Sequence, residues 1–330
     1  MAARKIKETD YAFAVAYTRT LQNRMLERAD FDTLLAVSST SEALRYLMDR
    51  GYGSKNYDRL PSPEVLLKDE LAYVMNEVSN ACPDGAPISL VLYRNDFANL
   101  KTILKALFSG LDYRSLAIEP YTVPPDELHT AIAESRFDDL PMFISEPALE
   151  AYRILARNED GQQAEIALDK AFYKTIKEVA LATKDLALID WVDLSIAIMD
   201  MKIALRGAYS GKNSEFLREA MLECTRFDID ALAEAIEAGV PSVLDHFSEN
   251  GYPAAAIAAE ESISGFEKWC DNELMNNLRS ARYDAFGFKP ILGFLVGKQF
   301  ELQTVRIIFS GLQGSIPSTE LSDRMRDIYV

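Results

Sequence analysis

The chain has 330 residues, of which 48% are hydrophobic and 26% charged, with only 15 Gly and 13 Pro to mark turns. This composition favours helices over a many-stranded fold, and the length exceeds a single hydrophobic core of ~100 to 150 residues, so we expect two or three packed units. The formal net charge of −16 would repel phosphate backbones and anionic lipid surfaces, which argues against nucleic acid as a partner.

The cysteines and the apolar segments indicate the compartment. Cys82, Cys224 and Cys270 lie more than forty residues apart, which is not the spacing of a disulfide framework and suits a reducing environment. No apolar segment follows the basic start MAARKIKETD, and the apolar stretch at 290–297 is too short to span a bilayer. The sequence predicts a cytoplasmic protein without a membrane-inserted segment.

The first third of the chain reads as a series of helices. A Thr9-Asp10 cap predicts a long first helix, whose apolar stripe would be Tyr11, Ala14, Thr18, Leu21 and Met25. The segment 41–48 (SEALRYLM) has helical spacing too. The segment 87–94 (PISLVLYR) has some strand character, and we predict that it is helical.

Three further segments predict long amphipathic helices. Their apolar stripes are Leu100, Ile103, Leu104, Leu107 and Leu111; then Leu194, Ile198, Met201, Leu205 and Ala208; then Ile291, Phe294, Leu295, Leu302, Val305 and Phe309. Lys298 interrupts the third stripe, and we expect it to lay its stem along the helix with its charge in water. The segment 168–183 (LDKAFYKTIKEVALAT) is equally helical.

A short marker recurs at the end of each long helix. ALFSG, GAYSG and IIFSG end at Gly110, Gly211 and Gly311, which stand 101 and 100 residues apart. Helix-start signals follow each of them, PPDEL at 124–128, SEFL at 214–217 and STEL at 318–321. We interpret the pattern as one helical unit present three times, with each glycine as a left-handed C-cap.

The predicted units are 1–123, 124–213 and 214–330. Five residues before each marker glycine stands a base: Lys105, Arg206 and Arg306. These bases could face a partner, or they could be the solvated face of an amphipathic helix. The aromatic residues just before each Ser-Gly, which are Phe108, Tyr209 and Phe309, are predicted to pack the helix ends.

Motifs for catalysis are incomplete. GAYSGKN at 207–213 and GFLVGKQ at 293–299 have three residues between the glycines, where a phosphate loop needs four, and neither has the Ser or Thr that binds Mg²⁺. The only histidines, His129 and His246, stand too far apart in sequence to suggest zinc ligation or a catalytic triad. We therefore predict no catalytic, cofactor-binding or metal-binding residue.

A helical isoprenoid synthase is the enzyme alternative. Such enzymes place carboxylates on successive turns of one helix to bind Mg²⁺ and diphosphate. Asp138 and Asp139 begin such a pattern, but Pro141 interrupts the turn and Met142 stands where a further carboxylate is needed.

The segments LKTILKALFSG, MKIALRGAYSG and VRIIFSGLQG, with the opening YAFAVAYTRTLQNRMLERADFDTLL and the closing FEKWCDNELM and SIPSTELSDRM, resemble the C subunit of the V-type (archaeal-type) rotary ATPase, which is the d subunit in eukaryotes. The resemblance covers essentially the whole chain. It implies a funnel of three pseudo-threefold related helical repeats, without its own active site or cofactor.

The resemblance also implies partners and a place in the cell. The partners would be the membrane rotor (proteolipid) ring and the central shaft subunits, and the protein would be peripheral on the cytoplasmic face of the membrane. Its role would be to transmit torque between ATP turnover and H⁺ or Na⁺ transport. The alternative is a free-standing helical-repeat scaffold that binds other proteins.

Overall fold

A computed structural model describes residues 6–53, 57–158 and 161–330. Within these residues the chain divides into two compact units. Unit 1 joins the N-terminal part, up to Ile88, with Ile257–Val330, and unit 2 is Ser89–Ala256.

The described residues form sixteen α-helices and no strand, which confirms the all-α prediction. In chain order they are α1 Ala12–Gln22, α2 Arg28–Ala36, α3 Thr40–Asp49, α4 Pro63–Ala81, α5 Ser89–Ser109, α6 Pro125–Ala133, α7 Met142–Asn158, α8 Gly161–Thr183, α9 Leu186–Ser210, α10 Ser214–Ala220, α11 Ile229–Glu237, α12 Val240–Glu249, α13 Pro253–Glu261, α14 Ile263–Arg279, α15 Lys289–Gly314 and α16 Ser318–Arg324. Short 3₁₀ turns occur at Glu8–Tyr11, Arg114–Leu116, Phe137–Asp139 and Ser280–Tyr283.

Helix starts follow the sequence signals closely. The Ser39 hydroxyl accepts a hydrogen bond from the Glu42 backbone N–H at the start of α3, at 3.2 Å, and the Asn213 side chain does the same for Phe216 at the start of α10, at 2.9 Å. Each cap satisfies a backbone donor that the helix itself leaves unpaired. The helix-start signals at 124–128, 214–217 and 318–321 are confirmed as the beginnings of α6, α10 and α16, and the segment 89–94 is helical as part of α5.

The predicted N-terminal cap is wrong in detail. The first turn is 3₁₀, and Asp10 accepts a hydrogen bond from the Lys7 backbone N–H at 2.9 Å, so this carboxylate closes the turn from inside it. The α-helix that follows ends at Gln22 and is shorter than expected. Its predicted apolar stripe is nevertheless buried, including Met25 beyond the helix end.

The three long helices bury their predicted stripes to different extents. In α5 the first three stripe residues are buried, Leu107 is half-buried, and Leu111 lies past the helix and is 62% exposed. In α9 the amphipathic prediction is wrong, because an unbroken run, 191–201, is buried on every side. All predicted stripe residues of α15 are buried. Helices α9 and α15 are therefore central helices of their units.

The left-handed C-cap is confirmed at two of the three marker glycines. Gly110 has φ 74° and Gly211 has φ 63°, a conformation that a side chain disfavours. Gly311 instead lies inside α15, which continues to Gly314 and ends on Ser315 with φ 54°. The third helix thus runs one turn past its marker.

A close packing contact lies one turn before the end of α15. A Cβ atom on Gly311 would lie 2.4 Å from Leu321 Cδ1 of α16, so only glycine allows α16 to fold back onto α15. Gly207 has the same relation to Leu217 of α10, at 2.6 Å from its Cδ2. Gly207 and Gly311 are 104 residues apart in sequence, and so are Leu217 and Leu321. The local packing therefore recurs with a period one turn longer than the marker suggests.

Candidate functional site

Lys298 is not the solvated lysine that the sequence predicts. It is 1% exposed, and its Nζ lies 2.8 Å from Glu70 Oε1 of α4 and 2.6 Å from Glu301 Oε1 of its own helix α15. A charge in an apolar interior is tolerated only with partners of opposite charge. The lysine therefore bridges two buried carboxylates, and Arg24, whose Nη2 lies 3.2 Å from Glu70 Oε2, supplies the second positive charge.

Backbone donors complete this cluster. Glu301 Oε2 accepts from the Leu26 backbone N–H at 2.7 Å, and Glu70 Oε2 accepts from the Gly53 backbone N–H at 3.0 Å. The Tyr52 hydroxyl donates to Glu301, and burial followed by the nearby Glu301 charge raises the pKa of this tyrosine well above its usual value. The cluster ties α15 and α4 to the segments that precede α2 and follow α3.

Unit 2 contains a related arrangement on α5. The side chain of Asp96, fully buried, accepts hydrogen bonds from the backbone N–H groups of Thr122 and Val123 at 2.8 and 3.0 Å, and from the Thr122 hydroxyl at 2.6 Å. Burial raises the pKa of Asp96, and these hydrogen bonds oppose the shift. The carboxylate fixes the chain two residues before α6 begins.

Helix α9 repeats this arrangement. Asp193 accepts from the backbone N–H and the hydroxyl of Thr225 at 3.0 and 2.6 Å, shortly before α11. Each of the three long helices thus uses a buried carboxylate to hold the backbone ahead of a short helix, as Glu301 does ahead of α2. Sequence reasoning missed these residues, although an acidic residue inside an apolar run is a visible signal.

Asp200, about two turns further along α9, is less completely satisfied. Its Oδ1 accepts from the Leu222 backbone N–H at 3.1 Å, and its Oδ2 is buried without a hydrogen-bond partner among the described residues. Burial raises the pKa of Asp200 to about 7. This carboxyl group therefore changes its charge near neutral pH.

The three predicted interface bases are all exposed. Lys105 forms an ion pair with Glu165 of α8, and the guanidinium of Arg306 lies 3.3 Å from Glu64 of α4. Arg206 stands five residues before the end cap of α9, as Lys105 does in α5, whereas Arg306 stands nine residues before Ser315. Their role in an interface stays a prediction.

The aromatic residues at the helix ends differ from one another. Phe309 is buried, as predicted. Phe108 is 47% exposed but does pack, with its ring centroid 5.6 Å from that of Tyr152 of α7, whereas Tyr209 is 53% exposed. The difference follows from helix length, since α15 continues past Phe309 and α5 and α9 end one residue after their aromatics. Unit 2 consequently presents an aromatic and a base on neighbouring turns at two helix ends.

The segments that resemble catalytic motifs lie in helices or turns of the fold. GAYSGKN is the end of α9, and in GFLVGKQ the glycines Gly293 and Gly297 of α15 pack against Tyr329. Asp138 and Asp139 lie in a 3₁₀ turn, not on a long helix. Among the described residues no group of three or more His, Cys, Asp or Glu is arranged to hold a metal ion. No helix in the described part of the chain is long and apolar enough to cross a membrane.

Helices packed on helices, with no strand among the described residues, define an all-α protein. Residues 14–324 match the family described as ATP synthase (C/AC39) subunit. The chain belongs to this family and is a subunit of a V/A-type ATPase.

Individual relatives match over nearly the whole chain. The C subunit of the A-type ATP synthase of Methanocaldococcus jannaschii is 23% identical, with 91% of this chain and 82% of that protein covered. The C subunit of the V-type sodium ATPase of Enterococcus hirae is 20% identical, covering 92% and 94%. The C subunit of the V-type ATP synthase of Thermus thermophilus is 21% identical, covering 96% and 98%.

Proposed function

We propose that this protein is the non-catalytic central-stalk adaptor of its ATPase, placed on the cytoplasmic face of the membrane between the rotor ring and the central shaft. In this role it transmits torque between ATP turnover and the transport of H⁺ or Na⁺. In this proposal the three predicted units, 1–123, 124–213 and 214–330, are related by a pseudo-threefold axis and form a funnel.

The observation that supports the proposal most is the set of buried carboxylate ties on the long helices. A part that transmits torque must resist sliding of helices, and close-packed interiors have low compressibility. Glu301, Asp96 and Asp193 each add directional hydrogen bonds to that packing. Hydrogen bonds to charged groups contribute about 1.5–3 kcal/mol each, so these ties oppose small shifts that apolar contacts alone would allow.

The helix ends of unit 2 are the contact residues that we propose. Lys105 and Phe108 end α5, and Arg206 and Tyr209 end α9, with each pair three residues apart on one helix face. Aromatic and arginine side chains dominate the binding energy of protein interfaces. Arg306 is a weaker candidate, because its neighbour Phe309 is buried.

Association with purified ring and shaft subunits tests this proposal. The full chain should bind them, and Phe108→Ala with Tyr209→Ala should weaken binding at least about tenfold, because hot-spot aromatics carry about 2 kcal/mol or more. Phe13→Ala is the matched control, since this aromatic is also exposed but lies on α1. Failure of the wild-type chain to bind either partner would favour the free-standing scaffold.

A further inference from the structure

A groove of about 440 Å³ lies in unit 2 between α7, α8 and α10. Its floor consists of half-buried apolar side chains, among them Phe143 of α7, Ala171 of α8 and Phe216 of α10. Phe143 stacks on Tyr93 of α5 with ring centroids 4.0 Å apart, and this contact fixes the position of the Phe143 ring. A cavity of ~150 Å³ accepts one benzene ring, so this groove has room for about three large apolar side chains.

An exposed apolar residue lies at the edge of the groove. Met142, the first residue of α7, is 92% exposed and lines the groove. Methionine is flexible and polarizable, and proteins use it on surfaces that receive apolar side chains of partners. Met142 extends the apolar floor to the edge of the groove, and a contiguous apolar surface is typical of a site that a partner covers.

The rim of the groove is acidic. Glu146 and Glu150 lie one turn apart along α7, and Glu178 and Glu219 add two carboxylates from α8 and α10. Lys170 and Lys174 oppose them, and the Lys170 ammonium donates to the backbone carbonyl of Glu219. Four acidic groups against two basic ones leave an excess of two negative charges around an apolar floor.

We propose that this groove binds a basic amphipathic helix of another protein chain, with about three apolar anchors on the floor and Lys or Arg side chains along Glu146 and Glu150. This contact is additional to those proposed with the ring and the shaft and does not depend on them. Apolar anchors at i, i+3, i+4 and i+7 would fit a groove bounded by helices. A second copy of this chain, at net charge −16, and an anionic lipid surface are both disfavoured by repulsion.

The probe is a synthetic amphipathic helix of about 18 residues made of Leu and Lys, with a Leu/Glu helix of the same apolar face as its counterpart. Binding to the full chain is measured by fluorescence anisotropy and by the ¹³C-methyl signal of Met142, assigned by Met142→Leu. We expect the Leu/Lys helix to bind and to shift this signal, while buried Met275 in unit 1 stays unchanged.

Variants distinguish binding in the groove from non-specific binding to the acidic surface of the chain. Ala167→Phe with Ala171→Phe fills the groove and should weaken binding at least about tenfold. Glu146→Gln with Glu150→Gln should weaken it severalfold and lower its salt dependence. Glu260→Gln with Glu261→Gln removes two exposed charges on α13 and should change nothing. Circular dichroism establishes that each variant is folded.

The proposal is overturned by any of three results. These are binding without a shift of the Met142 signal, equal binding of the Leu/Lys and Leu/Glu helices, or no saturable binding to the wild-type chain. A fourth result, preference for anionic vesicles over the helix, would assign the groove to a lipid surface and would also refute it.

Discussion

The two longest helices of the described chain, α9 and α15, keep charge in an apolar interior in different ways. On α15, Lys298 pairs with Glu70 and Glu301, Arg24 adds a second positive charge beside Glu70, and backbone donors bind one oxygen of each carboxylate. On α9, Asp200 has one backbone donor and an oxygen without one, and burial raises its pKa to about 7. Similar central helices can therefore differ in their response to pH.

The largest expected effect concerns the cluster on α15. Lys298→Met keeps the volume and leaves two buried carboxylates with Arg24 as their remaining nearby cation, which lies 3.2 Å from Glu70. We expect the free energy of unfolding to fall by about 3–5 kcal/mol, measured by urea denaturation. Arg306→Met, which breaks an exposed pair on the same helix, should cost less than about 1 kcal/mol. Equal losses would contradict the buried cluster.

The next effect compares the ends of the same two helices. Phe309→Ala removes a buried ring near the end of α15 and should lower the free energy of unfolding by about 3–4 kcal/mol. Tyr209→Ala removes an exposed ring from the end of α9 and should change it by about 0.5 kcal/mol or less. Thermal denaturation of the two variants measures the difference, and a similar loss in both would show that the helix ends are packed alike.

A further stability effect is a dependence on pH that arises from α9. The pKa of Asp200 is about 7 in the folded chain and about 3.9 in an unfolded one, so the folded state holds the proton more tightly. This group stabilises the fold below its unfolded pKa, and the stabilisation, about 4 kcal/mol for a difference of roughly three pKa units, is lost as pH rises from about 4 through 7.

Asp200→Asn removes this titration. The variant should show a flatter dependence of unfolding free energy on pH and should exceed the wild type in stability at pH 8, as urea denaturation at a series of pH values would measure. Asp138→Asn, in an exposed 3₁₀ turn, is the matched change and should keep the wild-type slope. An Asp200→Asn curve parallel to that of the wild type would refute the assigned pKa.

The sequence predicts what depends on spacing and misses what depends on distant partners. Apolar periodicity identifies the buried stripe of α15, because a helix must hide such a stripe. It cannot identify Lys298 as buried, because the partner Glu70 is 228 residues away in sequence and on another helix. The partners of the buried carboxylates are hidden for the same reason, although the acidic residues themselves stand out within apolar runs.

Helix ends show a second limit. The marker Ser-Gly is identical at Gly110, Gly211 and Gly311, but the third helix continues to Gly314, and its Gly311 packs against Leu321 of α16. A local Ser-Gly motif therefore indicates a position where a helix can end, but it does not establish that the helix ends there. The predicted boundaries of the three units depend on these markers, and they stay predictions.

The central claim is that the chain mechanically joins parts of the ATPase and leaves the chemistry to other subunits. The direct measurement is ATP hydrolysis and ATP-driven ion transport by the ATPase reconstituted in membranes, with and without this chain. We expect removal to leave ATP hydrolysis in the soluble head and to abolish ion transport, and adding back the full chain to restore it. Ion transport that continues without the chain would contradict this claim.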